Sequence, residues 1–268
     1  MKRVLKVLFI CIMLVALYMP ILILAVYSFT TSANIGTIHG FSMHNYVTLF
    51  TKPELADMIW GTVILAVVSA AISTVLGTTG AIGAFYSRKL PSGIVGAMNR
   101  VPVVNADVVT GFSICILLIV VMGVSKDTFV PLVVGHVVLS APFVYLSVVP
   151  KLKQMDSSLY EAAMDLGASP AKALTKVVIP QIMPGIISGF ALALTLSLDD
   201  YFITTYTKPA TFDTISTYVV NATKGSQTEI KTALWALSTI IFLVVIIVVV
   251  IMNLAGRDKE NNRKGAER

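Results

Sequence analysis

Long stretches without charge alternate with short charged ones along this chain. Residues 7–29 and 58–87 hold no Asp, Glu, Lys or Arg. Residues 101–124 hold only Asp107, and 129–150 hold His136 but no full charge. Residues 184–207 hold Asp199 and Asp200, and 232–256 are again uncharged. Each run reaches the roughly 20 residues that a helix rising about 1.5 Å per residue needs to cross about 30 Å of hydrocarbon. None alternates polar with apolar positions, which excludes the strands of a barrel. The pattern predicts an all-α membrane protein with six transmembrane helices. The first run, preceded by Lys2 and Arg3, is longer than the roughly 7–15 apolar residues of a cleaved signal, so it reads as a retained helix.

The segments between the runs differ in length. The loop over 30–57 can hold an interfacial helix, with Phe41, Tyr46, Val47, Leu49 and Phe50 on its half-buried side. Ser125-Lys126-Asp127 makes a tight turn between the third and fourth runs. Pro20, Pro142 and Pro184 are expected at kinks or helix ends. Gly77, Gly80 and Gly83 would let the second helix pack closely. The chain divides into an N-terminal helix with its loop (1–57), a membrane core (58–256) and a charged tail (257–268).

Composition agrees with this pattern. Of 268 residues, 56% are hydrophobic and 13% charged, against roughly a quarter charged in a soluble domain. A soluble enzyme, a disordered tail and a disulfide-stapled secreted domain are excluded. The two cysteines, Cys11 and Cys115, sit in apolar runs and carry no redox information. Orientation follows from Lys and Arg. With both termini on one side, that side holds 15 of the 20 and the other holds 5. The positive-inside rule therefore puts both ends in the cytoplasm. The net charge of +6 then points to anionic lipid head groups, not nucleic acid.

The largest inner segment, 151–183, has its own helical punctuation. Asp156 or Ser157 can cap a helix, and Glu161 sits in its early turns, where the dipole favours a carboxylate. Ala162 and Ala163 are strong helix formers without bulk. Gly167 ends the helix, and Ser169-Pro170 begins another. Glu161-Ala162-Ala163, three residues, Gly167, nine residues, then Val177-Val178-Ile179-Pro180 resembles the Glu-Ala-Ala loop of ABC importer permeases. Val177 and Ile179 replace an isoleucine and a leucine of that pattern. The resemblance implies a type I importer permease whose loop docks into a groove of a cytoplasmic ATPase, through Glu161, Ala162, Ala163, Gly167 and Pro180. It also implies two ATP-binding subunits, a second permease subunit, more often a different chain, and an external substrate-binding protein. The chain contains no Gly-Lys pair, hence no phosphate loop of its own. No catalytic or metal-binding residue and no cofactor is expected on it; ATP and magnesium belong to the ATPase.

Three carboxylates fall within apolar runs, where each costs roughly 2.5–3.5 kcal/mol at a helix centre. They are Asp107, beside Asn105, and Asp199 and Asp200, beside Tyr201 and Tyr206. No Lys or Arg lies in any run to neutralise them, so the path they line suits a cation. Neighbouring aspartates point about 100° apart on a helix, so one can bind substrate while the other caps a break. Interfacial, solvated positions are the alternative for all three, as an aromatic belt is for Tyr206. His136 reads as a hydrogen-bonded core histidine. The run Ser197-Leu198-Asp199-Asp200-Tyr201-Phe202-Ile203-Thr204 resembles a segment of spermidine/putrescine permeases of the PotC type, as does Asn105-Ala106-Asp107-Val108-Val109-Thr110-Gly111, which lacks the proline that precedes the acid in that group. The resemblance implies polyamine import by alternating access. Ferric iron, an organic cation or another solute is an alternative within the family. A stand-alone proton-coupled transporter is the alternative outside it.

Overall fold

The computed structural model describes residues 2–30, 40–156, 158–224, 232–240, 242, 243 and 246. The expected charged tail, residues 31–39 of the outer loop, Ser157 and most of the sixth apolar run lie outside them. Among the described residues every regular element is helical, apart from an isolated bridge between Thr30 and Phe41. The chain falls into two units, one drawn from residues 1–56 and 219–268 and the other from 57–218.

In the first unit, α1 (Lys2–Ser28) crosses Pro20 without ending. Its side chains from Leu5 to Val26 are mostly exposed apolar groups, which suits contact with lipid. A short helix, α2 (His44–Thr51), follows in the loop where the sequence pattern predicts one. Asn45 fixes it, donating from Nδ2 to the carbonyls of Ser28 and Thr30 at 2.9 Å each. Tyr46 and Phe41 both stack on Phe29, while Phe50 and Val47 stay exposed. Residues 232–240 are helical, and Trp235 meets Tyr27 edge-on at 5.8 Å.

The second unit is built on three long helices: α3 (Pro53–Tyr86), α6 (Val130–Gln154) and α9 (Ile179–Asp199). Val144 of α6 is fully buried between the other two. A β-carbon at Gly77 of α3 would lie 2.7 Å from Val144 Cβ and 2.8 Å from the Ala141 carbonyl. One at Gly189 of α9 would lie 3.1 Å from Val144 Cα. Missing side chains on both flanks thus let α3 and α9 close on the backbone of α6. Of the three glycines expected to pack, Gly77 does so. Gly80 is in ordinary contact with Tyr145, and Gly83 faces open space.

Two predicted spans are not single helices. Residues 89–121 form α4 (Lys89–Val104) and α5 (Asp107–Cys115), which continues as a π-helical stretch over Ile116–Val121. Asn105 and Ala106 are extended, and α4 meets α5 at 106°. Asp107 therefore opens a helix, instead of lying two turns inside one that starts at Val101. The fifth span ends early: α9 stops at Asp199, Asp200 is extended, and α10 (Phe202–Thr207) follows. Pro184 lies inside α9, which instead begins beside Pro180. The last described helix of this part, α11 (Ile215–Lys224), starts at a turn where Thr214 and Thr217 bond each other.

Overpacking costs typically about 1–3 kcal/mol. Gly77→Val should therefore lower the thermal unfolding temperature of the detergent-purified chain and its yield as a single size-exclusion peak. Gly83→Ala should leave both unchanged.

Candidate functional site

The cytoplasmic segment folds as two short helices around a glycine elbow. Asp156 accepts from the Ser158 backbone N–H at 3.0 Å and from its hydroxyl at 2.8 Å. These two bonds, the backbone one first, hold the Asp156 carboxyl below the usual aspartate range. The ionised cap therefore favours the fold above the ordinary aspartate pKa, and that contribution is lost as pH falls through the lowered value. Helix α7 (Ser158–Asp165) carries Glu161 and Ala162 exposed and Ala163 half-buried. It ends in a Schellman arrangement: Ala168 N–H donates to the Ala163 carbonyl at 3.0 Å and Gly167 N–H to that of Met164 at 2.9 Å. Gly167 has φ +84°, a left-handed conformation that L side chains avoid. Ser169 and Pro170 open α8 (Pro170–Ala173), which continues as a π-helical stretch over Leu174–Val178 into α9. Leu166 is 89% exposed beside the elbow. The segment offers small side chains, one carboxylate and one large apolar group on a surface that nothing in its own unit covers.

The second group of residues lies at the two helix breaks. Asp107 is exposed in the first turn of α5, and Asn105, also exposed, donates from Nδ2 to Thr110 Oγ1 at 3.0 Å. Asp199 is exposed at the end of α9, whereas Asp200 is buried. The neighbouring aspartates thus divide their roles. Asp200 caps α10, accepting from the Ile203 N–H at 3.2 Å, the Thr204 N–H at 2.7 Å and the Thr204 hydroxyl at 2.8 Å. Asp107, Asn105 and Asp199 keep open faces; Asp200 is spent on structure.

His136 is fully buried beside this cap, as the sequence suggests for a core histidine. Its Nδ1 lies 2.7 Å from Ser197 Oγ and its Nε2 3.0 Å from Thr204 Oγ1. Nε2 also lies 3.7 Å from Asp200 Oδ2, and for a neutral imidazole beside an ionised Asp200 the donor and acceptor roles follow. Thr204 gives its hydroxyl hydrogen to Asp200, so its oxygen receives one from His136 Nε2–H. Nδ1 is then the bare nitrogen and accepts from Ser197. A directed chain runs Ser197, His136, Thr204, Asp200 and ties α9, α6 and α10 together. Sequence reasoning missed Ser197 and Thr204 as members. Each was legible as a polar residue in an apolar run, but their meeting 61 and 68 residues from His136 was not.

Tyr201 and Tyr206 are half-buried and already paired with rings, Tyr201 with Phe202 at 5.2 Å and Tyr206 with Phe112 at 5.7 Å. Glycines again permit the approach of α10. β-Carbons at Gly111 and Gly135 would lie 2.9 Å from Ile203 Cα and 2.5 Å from Ile203 Cγ2.

Similarity to known proteins bears on both groups. Residues 95–257 match the family described as binding-protein-dependent transport system inner membrane component. The spermidine/putrescine transport system permease protein PotC of Escherichia coli K12 is 30% identical over 250 residues, covering 93% of this chain and 92% of that protein. The putrescine transport system permease protein PotI of the same strain is 32% identical over 231 residues, covering 84% and 81%. Among solved structures, a bacterial ABC transporter involved in import of the acidic polysaccharide alginate superposes with a TM-score of 0.70 at 15% identity, covering 94% of this chain and 95% of that one. An alginate transporter in complex with its pentasaccharide-bound periplasmic protein gives 0.68 at 18% identity. These structural likenesses carry the fold.

Thr204→Val removes a buried hydroxyl and strands two partners, at about 1–3 kcal/mol. A lowered unfolding temperature in detergent is expected. Thr205→Val, whose exposed hydroxyl only bonds back to the Tyr201 carbonyl, should leave it unchanged.

Proposed function

Since the chain belongs to the family of binding-protein-dependent transport system inner membrane components, we propose that it is the permease subunit through which an ATP-driven importer brings polyamines such as spermidine and putrescine into the cell by alternating access. The observation that carries the transport reading is the exposed α7 elbow, with Glu161, Ala162 and Ala163 ahead of a left-handed Gly167. A surface of that kind, on the end of α9 through α8, suits docking of a motor subunit whose closure moves the membrane helices. Six spans with both termini in the cytoplasm, the arrangement expected from the Lys and Arg distribution, put the elbow on the motor's side of the membrane.

The substrate assignment rests on the named relatives and on charge. Asp107, Asn105 and Asp199 form the open polar set at the helix breaks, and carboxylates without a neighbouring cation favour an alkylammonium guest. Tyr201 and Tyr206 add ring faces for cation–π contact. Asp200 acts indirectly, by fixing the break that presents its neighbours. Two ATP-binding subunits would supply ATP and magnesium chemistry, a second and different permease subunit would complete the path, and an external binding protein would deliver substrate. This chain itself catalyses no covalent step.

Uptake of labelled spermidine and putrescine, driven by ATP in vesicles holding the assembled complex, tests both parts. Asp107→Asn should reduce uptake at least about tenfold if a charge-assisted contact worth about 1.5–3 kcal/mol is lost. ATPase activity without any polyamine uptake in the unsubstituted complex would discard the substrate and keep the permease. Gly167→Val should abolish uptake, whereas Gly167→Asn, which tolerates the left-handed conformation, should retain part of it. Normal uptake by Gly167→Val would remove the elbow from the coupling mechanism.

A further inference from the structure

A cavity of about 460 Å³ opens between α3, α4 and α6, and no part of the transport mechanism uses it. Three cations line it: Lys89 and Arg100, near the two ends of α4, and Lys153 from the last turn of α6. Among the described residues no carboxylate pairs with any of them. Ser92 and Tyr145 add hydroxyls. Tyr145 is 6% exposed, and its hydroxyl approaches to 3.7 Å of where a β-carbon on Gly96 would sit. That hydroxyl has no hydrogen-bond partner among the described residues, so the tip of an otherwise buried side chain opens on the space as a free donor. The rest of the lining is apolar or small, including Ala81, Phe85 and Leu146.

Three exposed cations without a carboxylate partner and an unpartnered phenol around one cavity suit an anion. They also exclude a polyamine, which the same charges would repel, so the cavity is off the substrate's route. Helix α4 narrows the choice. It turns Lys89, Ser92, Gly96 and Arg100 toward the cavity. On the adjoining face it leaves Leu90, Ile94, Met98 and Val101 between 54% and 77% exposed. It also meets α5 at 106°, so it lies across the direction of that helix. A helix with a basic side, an apolar side and a transverse course fits the boundary between head groups and acyl chains. Basic pockets between membrane helices at that level are suited to phosphate-bearing lipid head groups.

We propose that this cavity binds a phosphate group, held by Lys89, Arg100, Lys153 and the Tyr145 hydroxyl, and that an anionic phospholipid supplies it, with its chains along the apolar face of α4. Placement in the inner leaflet rests on the orientation proposed above; the anion chemistry does not.

The test uses the full-length chain in phosphatidylcholine nanodiscs doped with a photoactivatable phosphatidylglycerol. Labelling should concentrate on residues 89–101 and exceed that by an equivalent phosphatidylcholine probe. Each cation near a membrane surface contributes about fivefold in affinity, so Arg100→Gln/Lys153→Gln should weaken labelling about 25-fold. Lys153→Arg should retain it, and Tyr145→Phe should reduce it without moving the size-exclusion peak. Suppression of labelling by excess inorganic phosphate would keep the anion site and make free phosphate its source. Equal labelling by the two lipid probes in the unsubstituted chain would overturn the proposal, whether or not the double variant folds. So would undiminished labelling of a folded double variant.

Discussion

In hydrocarbon, a backbone N–H or C=O that leaves its helix must find a partner within the protein. The break after α9 answers to this. Where α9 ends, the freed N–H groups of Ile203 and Thr204 meet the carboxylate of Asp200. Hydroxyls obey the same rule along the regular stretches: Thr62, Thr74, Ser147, Ser188 and Thr195 each bond back to the carbonyl four residues earlier. Ser69, Ser73, Thr78 and Ser140 are exceptions, buried without a partner among the described residues, and helix association depends on close contact. That is why Gly77 and Gly189 face one valine on α6. Capping sets where helices break, and absent side chains set where they touch.

This rule also sorts the intramembrane carboxylates. A charge at the end of a helix can be structural or functional, and sequence position does not separate the two. Burial and partners do. Asp200 is enclosed by donors, while Asp107 and Asp199 stand open at the starts and ends of helices. Adjacent residues that look equivalent in the sequence thus have opposite fates, because one faces the α6–α10 seam and the other does not. The basic residues separate as well. Those around the α4 cavity have no carboxylate partner among the described residues, while Asp107 and Asp199 stand open at the breaks.

What the sequence made legible follows from range. The α7 elbow is local: its cap, alanines, glycine and following Ser-Pro lie between Asp156 and Pro170, and the structure realises each. The short helix α2 was legible for the same reason. The spans were legible as apolar runs, but their interruptions were not. The bend at Asn105-Ala106 falls inside the apolar run over 101–124, and neither residue is a glycine or proline, although Pro102 lies three positions before it. The break at Asp200 depends on a histidine 64 positions away. Gly83 shares the three-residue spacing but, six residues on at about 100° each, turns away from the face Gly77 presents to α6, so spacing alone overcounted the packing glycines.

The hydrogen-bonded chain from Ser197 through His136 and Thr204 to Asp200 has a mechanical meaning. Ser197, His136 and Thr204 each donate toward Asp200, which only accepts. Helices α6, α9 and α10 cannot slide past one another without reversing a donor against an acceptor. Helix α9 is in turn continuous with the elbow through α8 and the π-helical stretch over Leu174–Val178. In the proposed mechanism a push on the elbow would therefore reach all three helices together. Asp199, at the end of α9 away from the elbow, would be carried with them.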